Sequence, residues 1–382
     1  MVPQGWKRAL ITPIRKPGKP PETVHSYRPI SLTSHVGKVF ESMLLRRMTH
    51  MAEDASSPVA GLDATQAGYR RLRGAEEQVT YFTQQCMQVK RARRYGVVLS
   101  IDMDKAFDRV SRAKVLETLR RMRFPAKYCD WVEDYLRDRE AAVSIDGVKG
   151  SYFDFVQGVP QGTVLSPFLF NVVMDEIAGK VRNIPGAVVT LYADDVAVLV
   201  SGESPQEAAH LAQTALHVIE DAAAANNLRI SHDKTVCMFV CSSHLRGALL
   251  GGDLPSVRCS DGTRLKWTAT LKYLGMTLDE GCTFAAHADD VRARFVKRLA
   301  VLYALAGTTW GCSAHTLRMV YLTYALPVVL YGVGVYGTAC TAERLGQLDL
   351  LHKTAARIIT GCPRTTATEV LLWEAQLHSL EY

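Results

Sequence analysis

The chain has 382 residues, of which 48% are hydrophobic, with 27 glycines and 15 prolines. This composition excludes a disordered or low-complexity protein and is sufficient for one large core or several smaller ones. The formal net charge is +7, and part of the basic excess lies in clusters at 70–73, 90–94 and 120–123. Such clusters suit a phosphate backbone, but solvated helix faces have the same composition, so charge alone favours neither interpretation.

Nine cysteines are scattered along the chain without regular spacing, and the first residues lack the charged and then apolar pattern of a secretory leader. Secreted disulfide-rich proteins have the opposite features, so we expect a reduced, intracellular protein. The closest pair, Cys237 and Cys241, has no second Cys/His pair at zinc-finger spacing nearby. Buried free thiols are therefore predicted there in preference to a metal site.

In chain order, the first 95 residues combine a proline-rich extended region at 13–29 with helical patterns at 37–52 and 75–91. The pattern then changes, because residues 96–101 are typical of a buried strand. A helix is predicted from Ser111 and a second over 126–136. A hairpin follows, in which residues 142–145 and 151–156 flank the turn pair Asp146-Gly147.

A second hairpin is predicted from strand-like residues 187–192 and 196–200, with Ala-Asp-Asp between them. Ser204-Pro-Gln-Glu207 then combines an N-cap serine, a first-turn proline and a capping-box glutamate, so a helix is predicted from there to about residue 226. Strands, helices and hairpins in this order predict an α+β layer with an antiparallel core sheet backed by helices.

From about residue 282 the pattern is helical, with Val291, Phe295, Leu299 and Leu302 predicted to face inward. Residues 319–342 carry no charge and are long enough to cross a bilayer on paper. They also contain Pro327 and three glycines among polar residues, so a buried core helix followed by a turn is predicted instead. No membrane partner is expected.

Two acidic signatures interrupt strand-like runs: Asp102 within 99–108, and the pair Asp194-Asp195 in Tyr192-Ala-Asp-Asp195. Carboxylates that converge from separate strands can hold two divalent ions, which activate a hydroxyl and neutralise a departing pyrophosphate. The alternative is that Asp102, Asp104 and Asp108 are surface or helix-capping residues. Magnesium is the expected metal, because it is hard and prefers oxygen ligands.

The sequence resembles the reverse transcriptases of non-LTR (LINE-type) retrotransposons. The matching stretches appear in the family's order and cover roughly residues 6–340: 27–32, 102–108, 157–162, 165–167, 192–195, 227–234 and 271–275. The resemblance implies a right-hand polymerase. Its fingers would be residues 1–95 with 124–155, its palm 96–123 and 156–281, and its helical thumb and C-terminal extension 282–382.

The resemblance also implies the role of each site residue. Asp102, Asp194 and Asp195 would be catalytic and hold two Mg²⁺ ions, with Mn²⁺ as a substitute and Asp195 as the weaker ligand or support. Lys234 would protonate the leaving pyrophosphate, although a surface lysine is the alternative. The dNTP would contact Lys16, Arg28, Phe107, Gln161 and Gly162.

Several of these residues have a physical reason for their roles. Phe107 would sit beneath the sugar and leave no room for a 2′-hydroxyl; the alternative is a core aromatic. Arg28 would bind the triphosphate, for which a bidentate guanidinium is well shaped. Lys16 would do the same, but the alternative is that it is a solvated loop lysine. Gln161 could also be a plain turn residue. Tyr273 and Gly275 would position the primer end.

The expected activity is RNA-directed DNA polymerisation. The expected partners are an RNA template, a DNA primer or target, and dNTPs. The resemblance also implies a nuclear location. The alternatives are a catalytically retired, nucleic-acid-binding remnant of a retrotransposon, an intron-maturase-like relative, and an RNA-dependent RNA polymerase, which Phe107 opposes. No endonuclease, zinc knuckle or RNase H domain is readable, so we expect a fragment or a decayed copy in which polymerisation, as opposed to self-insertion, survives.

Overall fold

The computed structural model describes residues 1–250, 254–307 and 310–380. The strands are β1 (Arg8–Arg15), β2 (Tyr27–Leu32), β3 (Tyr95–Ile101), β4 (Glu140–Ile145), β5 (Val148–Lys149), β6 (Phe153–Asp154), β7 (Val188–Tyr192), β8 (Asp195–Gly202), β9 (Val236–Val240), β10 (Lys266–Trp267), β11 (Thr270–Tyr273) and β12 (Met276–Asp279).

The helices of the N-terminal two thirds are α1 (Gln4–Lys7), α2 (His35–Glu53), α3 (Ala75–Arg91), α4 (Ala106–Arg109), α5 (Arg112–Arg121), α6 (Ala126–Leu136), α7 (Ser166–Arg182), α8 (Pro205–Ala225) and α9 (Ser243–Leu250), with a 3₁₀ turn at Val24–Ser26. The C-terminal helices are α10 (Ala285–Leu305), α11 (Ala314–Val320), a π turn at Tyr321–Ala325, α12 (Pro327–Leu330), α13 (Val333–Ala339), α14 (Ala342–Thr360) and α15 (Thr368–Glu374).

The strands form two larger sheets and one hairpin. The first sheet has the order β2-β1-β4-β5, with β6 also paired to β4, and the second has the order β10-β9-β3-β8-β7. In the second sheet β3 pairs antiparallel with both β8 and β9, and only the edge pair β9 and β10 is parallel. The predicted α+β class with an antiparallel core sheet is therefore confirmed. The predicted bounds of fingers, palm and thumb stay predictions.

The second sheet separates two hydrophobic cores, because successive side chains of a strand point to opposite faces. Val97, Leu99 and Ile101 of β3 pack in a core with α5, α7 and α8. Val98 packs on the other face, in a core with α3, the β11–β12 hairpin and the C-terminal helices. Both faces of the central strand are thus covered by apolar side chains, which fixes its position in the molecule.

Helix starts agree with their capping residues. Ser204 Oγ accepts a hydrogen bond from the backbone N–H of Glu207 at 3.1 Å, which begins α8. The Glu207 carboxylate, however, accepts from the N–H of Glu203 at 2.7 Å and not from that of Ser204, so the reciprocal bond lies one residue before the predicted capping box. Ser111 caps α5 in the same way, accepting from Lys114 N at 3.3 Å.

Two further sequence predictions need correction. The hairpin after α6 turns at Asp146-Gly147 as predicted, but its returning strand is broken into β5 and β6 and ends at Asp154 instead of residue 156. The segment 319–342 is not one helix followed by a turn, because a second helix, α13, follows the break. Gly332 has a φ of +70° at that break, a left-handed conformation that ends the preceding helix.

The uncharged segment 319–342 is the part of the chain whose length and composition permit a membrane span. Within the described ranges, no single helix is long and apolar enough to cross a bilayer. The nearest case is a pair, Ala314–Leu330 and Val333–Ala339, bent by 55° at the break between them. Tyr321, Ala325 and Val329 of this pair are fully buried in the second core.

Candidate active site

The register of β3 against β8 brings the two acidic signatures to one edge of the second sheet. Ile101, the last residue of β3, pairs with Val196 of β8. Asp102 is the next residue after Ile101, and Asp195 is the residue before Val196, so the antiparallel pairing places these two aspartates at the same end of neighbouring strands. Asp194 lies in the two-residue turn between β7 and β8, since Tyr192 pairs with Asp195.

The three carboxylates interact electrostatically. Partial burial of its carboxyl, together with the negative charges of Asp194 and Asp102, raises the pKa of Asp195 to about 6. The pKa of Asp194 is also raised, first by desolvation and then by Asp102, while Arg28 and Lys234 oppose the shift. Both residues are nevertheless exposed at the sheet edge, where desolvation is incomplete, so like-charge repulsion is a main cause of the raised pKa values.

This donor set fits a hard divalent cation. It consists only of carboxylate oxygens, which Mg²⁺ and Mn²⁺ prefer, and a cation would relieve the repulsion that raises the pKa of Asp194 and Asp195. The three aspartates do not bring one oxygen each within 4.8 Å of one another in this structure.

Lys234 lies beside Asp102 because a tight turn holds it there. The backbone N–H of Ser231 donates to the carbonyl of Asp102 at 2.8 Å, and the N–H of Thr235 donates to the carbonyl of Ser231 at 2.9 Å. Lys234 Nζ then lies 2.9 Å from Asp102 Oδ2, with its side chain 65% exposed. The ammonium is thus placed next to the carboxylates and still open to a ligand in the cleft.

Gln66 and Gly68, which the sequence analysis missed, support the turn that carries Asp194. Gln66 is 1% exposed, and its Oε1 accepts from Ala193 N at 3.0 Å and from Gly68 N at 2.9 Å. Ala193 has a φ of +57°, a conformation that costs energy for any residue with a side chain. The Gln66 contacts therefore hold a strained turn in place. The only sign of this support in the sequence is Gly68 itself, a glycine in a stretch without regular periodicity.

Gly68 is required by close approach of two backbone segments and not by its own conformation. A Cβ added at this position would lie 2.3 Å from the backbone nitrogen of Ala193, which no real side chain tolerates. The segment around Gly68 also runs alongside β7, because Ala67 N donates to Leu191 O at 2.9 Å and Leu191 N donates to Thr65 O at 3.0 Å. This segment thus acts as a backbone support for the aspartate turn.

Phe107 and Gln161 lie next to each other on the other side of Asp102. The Phe107 ring is half-buried and stacks on Phe170 with centroids 4.6 Å apart. Gln161 Nε2 donates to Asp108 Oδ1 at 3.0 Å, and Val159 N donates to the carbonyl of Phe107 at 2.8 Å. The turn that carries Gln161 is therefore joined to the Phe107 segment through both backbone and side chain.

Gly162 and Gln161 connect this turn to the first sheet. Gln161 O accepts from Ser31 N of β2 at 2.7 Å, and Gly162 has a φ of +106°. A Cβ on Gly162 would lie 2.9 Å from Ser31 O, so both its conformation and its surroundings require glycine. Residues 161–162 thus join β2 of the first sheet to the Phe107–Asp108 segment that follows β3.

Of the two predicted triphosphate contacts, the structure brings one toward the aspartates. Arg28 is exposed on β2, and its charge lowers the pKa of Asp194 against the other contributions. Lys16 follows β1, and its Nζ donates to the carbonyl of His25 at 3.0 Å. Lys16 is therefore bound to its own loop here, whereas Arg28 faces the site.

Tyr273 is buried rather than exposed to a primer. It is 3% exposed, and its hydroxyl donates to Thr190 Oγ1 of β7 at 2.9 Å. Gly275 has a φ of +82° in the turn between β11 and β12. The carbonyl of the neighbouring Leu274 accepts from the hydroxyl of Tyr331 at 2.5 Å. Tyr273 can therefore affect a primer only by positioning this hairpin, while Gly275 lies at its tip.

Comparison with known proteins gives a family match over most of this region. A family model described as reverse transcriptase (RNA-dependent DNA polymerase) matches residues 14–278. The matched range contains Lys16 and Gly275 near its ends and all of the aspartates discussed above.

Two curated relatives come from Drosophila melanogaster. A probable RNA-directed DNA polymerase from transposon BS is 30% identical over 99% of this chain, and the RNA-directed DNA polymerase from mobile element jockey is 31% identical over 94%. The chain spans 41% and 38% of the lengths of these two relatives. Among solved structures, telomerase from Candida tropicalis in complex with a TWJ fragment of telomeric RNA has a TM-score of 0.49 and 11% identity, covering 98% of this chain and 62% of that chain.

The Gln66 support can be tested with a pair of matched substitutions. Gln66→Leu leaves the N–H groups of Ala193 and Gly68 without their acceptor, so we expect it to lower the free energy of unfolding by about 2 kcal/mol. We also expect weaker Mn²⁺ binding, measured by electron paramagnetic resonance, because the Asp194 turn is released.

The control is Gln78→Leu. Gln78 Nε2 donates to Thr65 O at 2.7 Å and to Leu191 O at 3.4 Å, so it bonds the same support but not Ala193 or Gly68, and this variant should lose stability and keep more of its Mn²⁺ affinity than Gln66→Leu. Unchanged Mn²⁺ affinity in folded Gln66→Leu would contradict the positioning role.

The raised pKa of Asp195 predicts a pH-dependent effect on stability. Its carboxyl binds a proton more tightly in the folded chain than in the unfolded chain. Deprotonation therefore lowers the free energy of unfolding as pH rises from about 4 to about 6, and the full cost is present above about pH 6. Asp195→Asn removes this cost. In EDTA, we expect the variant to be more stable than the wild type by about 1 kcal/mol at pH 7.5, after allowance for solvent screening, and no more stable at about pH 4.

Asp233→Asn is the matched control, because Asp233 is an exposed carboxylate in the neighbouring loop. Thermal unfolding followed by circular dichroism measures all three proteins. The electrostatic account is wrong if Asp195→Asn is as stable as the wild type at pH 7.5, or if its gain is the same at both pH values.

Proposed function

The chain belongs to the reverse transcriptase family and has its right-hand fold, and from that premise we propose that it extends a DNA primer on an RNA template. The observation that carries the proposal is the placement of Asp102, Asp194 and Asp195 at one sheet edge by the β3–β8 register. The proposed partners are an RNA template, a DNA primer with a free 3′-hydroxyl, and dNTPs.

The family generally uses divalent metal ions. We propose Mg²⁺ here, with Mn²⁺ as a substitute, because the donors are carboxylate oxygens. Asp102 and Asp194 would hold a pair of ions, with Asp195 as the weaker ligand or support. When bound, such ions supply Lewis-acid activation of the primer hydroxyl and neutralise charge on the leaving pyrophosphate.

The remaining roles follow from side chains around the aspartates. The Arg28 guanidinium, which faces Asp194 from β2, would bind the triphosphate by charge-assisted hydrogen bonds. The ammonium of Lys234 would donate a proton from Nζ to the leaving pyrophosphate, since it is exposed next to Asp102. Lys16 would have to leave the carbonyl of His25 before it could take part.

Phe107 and Gln161 would form the floor and side of the nucleotide site. Stacking on Phe170 and the bond from Val159 N fix the Phe107 ring and backbone, so the ring cannot easily withdraw from a sugar placed above it. Gln161 is held by Asp108 and Ser31 and can present its amide beside the same sugar. Rigid support of this kind is what steric exclusion of a 2′-hydroxyl requires.

Loss of one aspartate should abolish polymerisation. We expect Asp194→Asn to reduce primer extension on an RNA template by roughly 1,000-fold or more, because a ligand to the proposed ions and its charge are lost. Asp195→Asn should be less damaging, and Asp233→Asn should extend at the wild-type rate. Gel analysis of a labelled primer with Mg²⁺ and dNTPs measures all four proteins.

The outcome of the same assay separates the competing proposals. A wild-type protein that binds the primer–template but does not extend it would support a retired nucleic-acid-binding remnant. Equal extension by the wild type and Asp194→Asn would refute the assignment of the aspartates. An intron-maturase-like relative would instead show extension together with preferential binding of a structured intron RNA.

The choice of sugar is tested by Phe107→Ala. Removal of the ring opens space beneath the nucleotide, so we expect the preference for dNTPs over rNTPs to fall by about 10-fold or more. Phe153→Ala, which removes an exposed ring from β6, is the control and should keep the wild-type preference. Single-nucleotide incorporation of dNTP and rNTP measures the ratio, and an unchanged ratio in Phe107→Ala would refute the steric role.

A further inference from the structure

A second cluster of metal-binding side chains lies behind the candidate active site. Glu220 of α8, His232 of the loop that precedes β9 and Cys259 each offer one ligand atom, and these atoms all lie within 4.8 Å of one another. The three residues are 12 to 39 positions apart in the sequence, so only the fold brings them together. They supply oxygen, nitrogen and sulfur donors, a mixed set that differs from the all-carboxylate set of Asp102, Asp194 and Asp195.

The imidazole of His232 is oriented by a carboxylate on its far side. His232 Nδ1 lies 2.7 Å from Asp261 Oδ2, and His232 Nε2 lies 3.3 Å from Glu220 Oε1. Metal-binding histidines are held in this way, because a carboxylate on one ring nitrogen fixes the ring and makes the other nitrogen a better ligand. Here Nε2 is the nitrogen that faces Glu220.

The segment that carries Cys259 and Asp261 is a closed turn. Cys259 N donates to Thr263 O at 2.8 Å, and Gly262 N donates to Cys259 O at 2.9 Å. Thr263 N donates to Asp261 Oδ1 at 2.8 Å, which leaves the other oxygen of Asp261 for His232. Gly262 has a φ of +85°, as such a turn requires. The thiol and the orienting carboxylate are thus set by the backbone.

Helix α8 holds this turn at two points on one face. Gln213 bonds the backbone of Arg258, with Arg258 N donating to Gln213 Oε1 at 2.7 Å. Two helical turns further on, the Glu220 carboxylate accepts from Ser260 N at 3.0 Å and from Ser260 Oγ at 2.5 Å. The Cys259 thiol also contacts this carboxylate. Glu220 therefore lies between the turn and His232, with a side chain only 9% exposed.

We propose that Glu220, His232 and Cys259 bind one Zn²⁺ ion, with Asp261 as the residue that orients His232. Zinc accepts sulfur, nitrogen and oxygen donors in tetrahedral geometry, with ligand atoms about 3.5 Å apart, and three protein ligands leave the fourth position for water. The 3.3 Å separation of His232 Nε2 and Glu220 Oε1 already suits that geometry, and the Cys259 sulfur lies within 4.8 Å of the other ligand atoms.

The bound ion would connect three segments of the chain near the candidate active site. It joins α8, the Cys259 turn and the loop 231–235, and this loop bonds the carbonyl of Asp102 through Ser231 N and carries Lys234. The alternative to a metal site is an ion-pair network in which His232 simply lies between the carboxylates of Glu220 and Asp261. That network does not need the Cys259 sulfur, so substitution of Cys259 distinguishes a metal site from an ion-pair network.

The test uses Co²⁺ as a spectroscopic probe of thiolate ligation, followed by competition with Zn²⁺. The full chain, stripped with chelator and titrated with Co²⁺, should develop a near-ultraviolet sulfur-to-cobalt charge-transfer band at one equivalent, and Zn²⁺ should remove it. The aspartates of the proposed polymerase centre contain no sulfur, so this band distinguishes thiolate ligation from metal binding at that centre, and the cysteine variants below assign it to Cys259. Failure of the polymerase proposal would leave the band unchanged.

The decisive variants are Cys259→Ser and His232→Asn, which should lose the band, and Asp261→Asn, which should weaken Co²⁺ binding by about 10- to 100-fold. Cys129→Ser, at another buried free thiol, is the matched control and should keep it. Asp261 is exposed, so Asp261→Asn tests the site even if the Cys259 variant does not fold. No charge-transfer band in the wild type, or full retention of the band in folded Cys259→Ser, would overturn the proposal.

Discussion

The antiparallel pairing of β3 with β8 is the constraint on which the rest of the molecule depends. It aligns the residue after β3 with the first residue of β8, so that Asp102 and Asp195 occupy one edge of the sheet. A shift of this register by one residue would turn Val97, Leu99 and Ile101 out of their core, at a cost of several kcal/mol. The position of the carboxylates is therefore fixed by hydrophobic burial on both faces of the sheet, and not by attraction between the acidic groups.

The carboxylates themselves oppose this arrangement. Their repulsion and partial desolvation raise the pKa of Asp195 to about 6, which is a free-energy cost in the folded state at neutral pH. Ala193 adds backbone strain at the turn before Asp194. Gln66, Gly68 and the sheet offset these costs with buried hydrogen bonds and close packing. The fold thus holds like charges together at an edge where a cation would be bound favourably.

Local signals in the sequence predicted most elements but not the supports of the site. The helix at 75–91 is found as Ala75–Arg91, and Ser204 caps α8, because periodicity and capping depend on neighbouring residues. Gln66 could not be predicted in this way, since its bond to Ala193 joins residues 127 positions apart. The Glu220, His232 and Cys259 cluster could not be predicted for the same reason, because regular Cys/His spacing indicates only those metal sites whose ligands lie close in sequence. The roles of Lys16, Tyr273 and the other residues assigned by resemblance stay predictions.

Contacts of the C-terminal helices extend the support of the aspartates to the far side of the sheet. Tyr331 donates to Leu274 O at the tip of the β11–β12 hairpin, and Tyr273 in that hairpin donates to Thr190 of β7. Gly332 N in turn donates to Glu76 Oε1 of α3 at 2.6 Å. Because β7 leads directly into the Asp194 turn, the position of that turn depends on the helices after residue 314 as well as on its own strands. This explains why a buried tyrosine, and not an exposed one, occupies position 273: its hydroxyl connects the hairpin to the strand that carries the acidic turn.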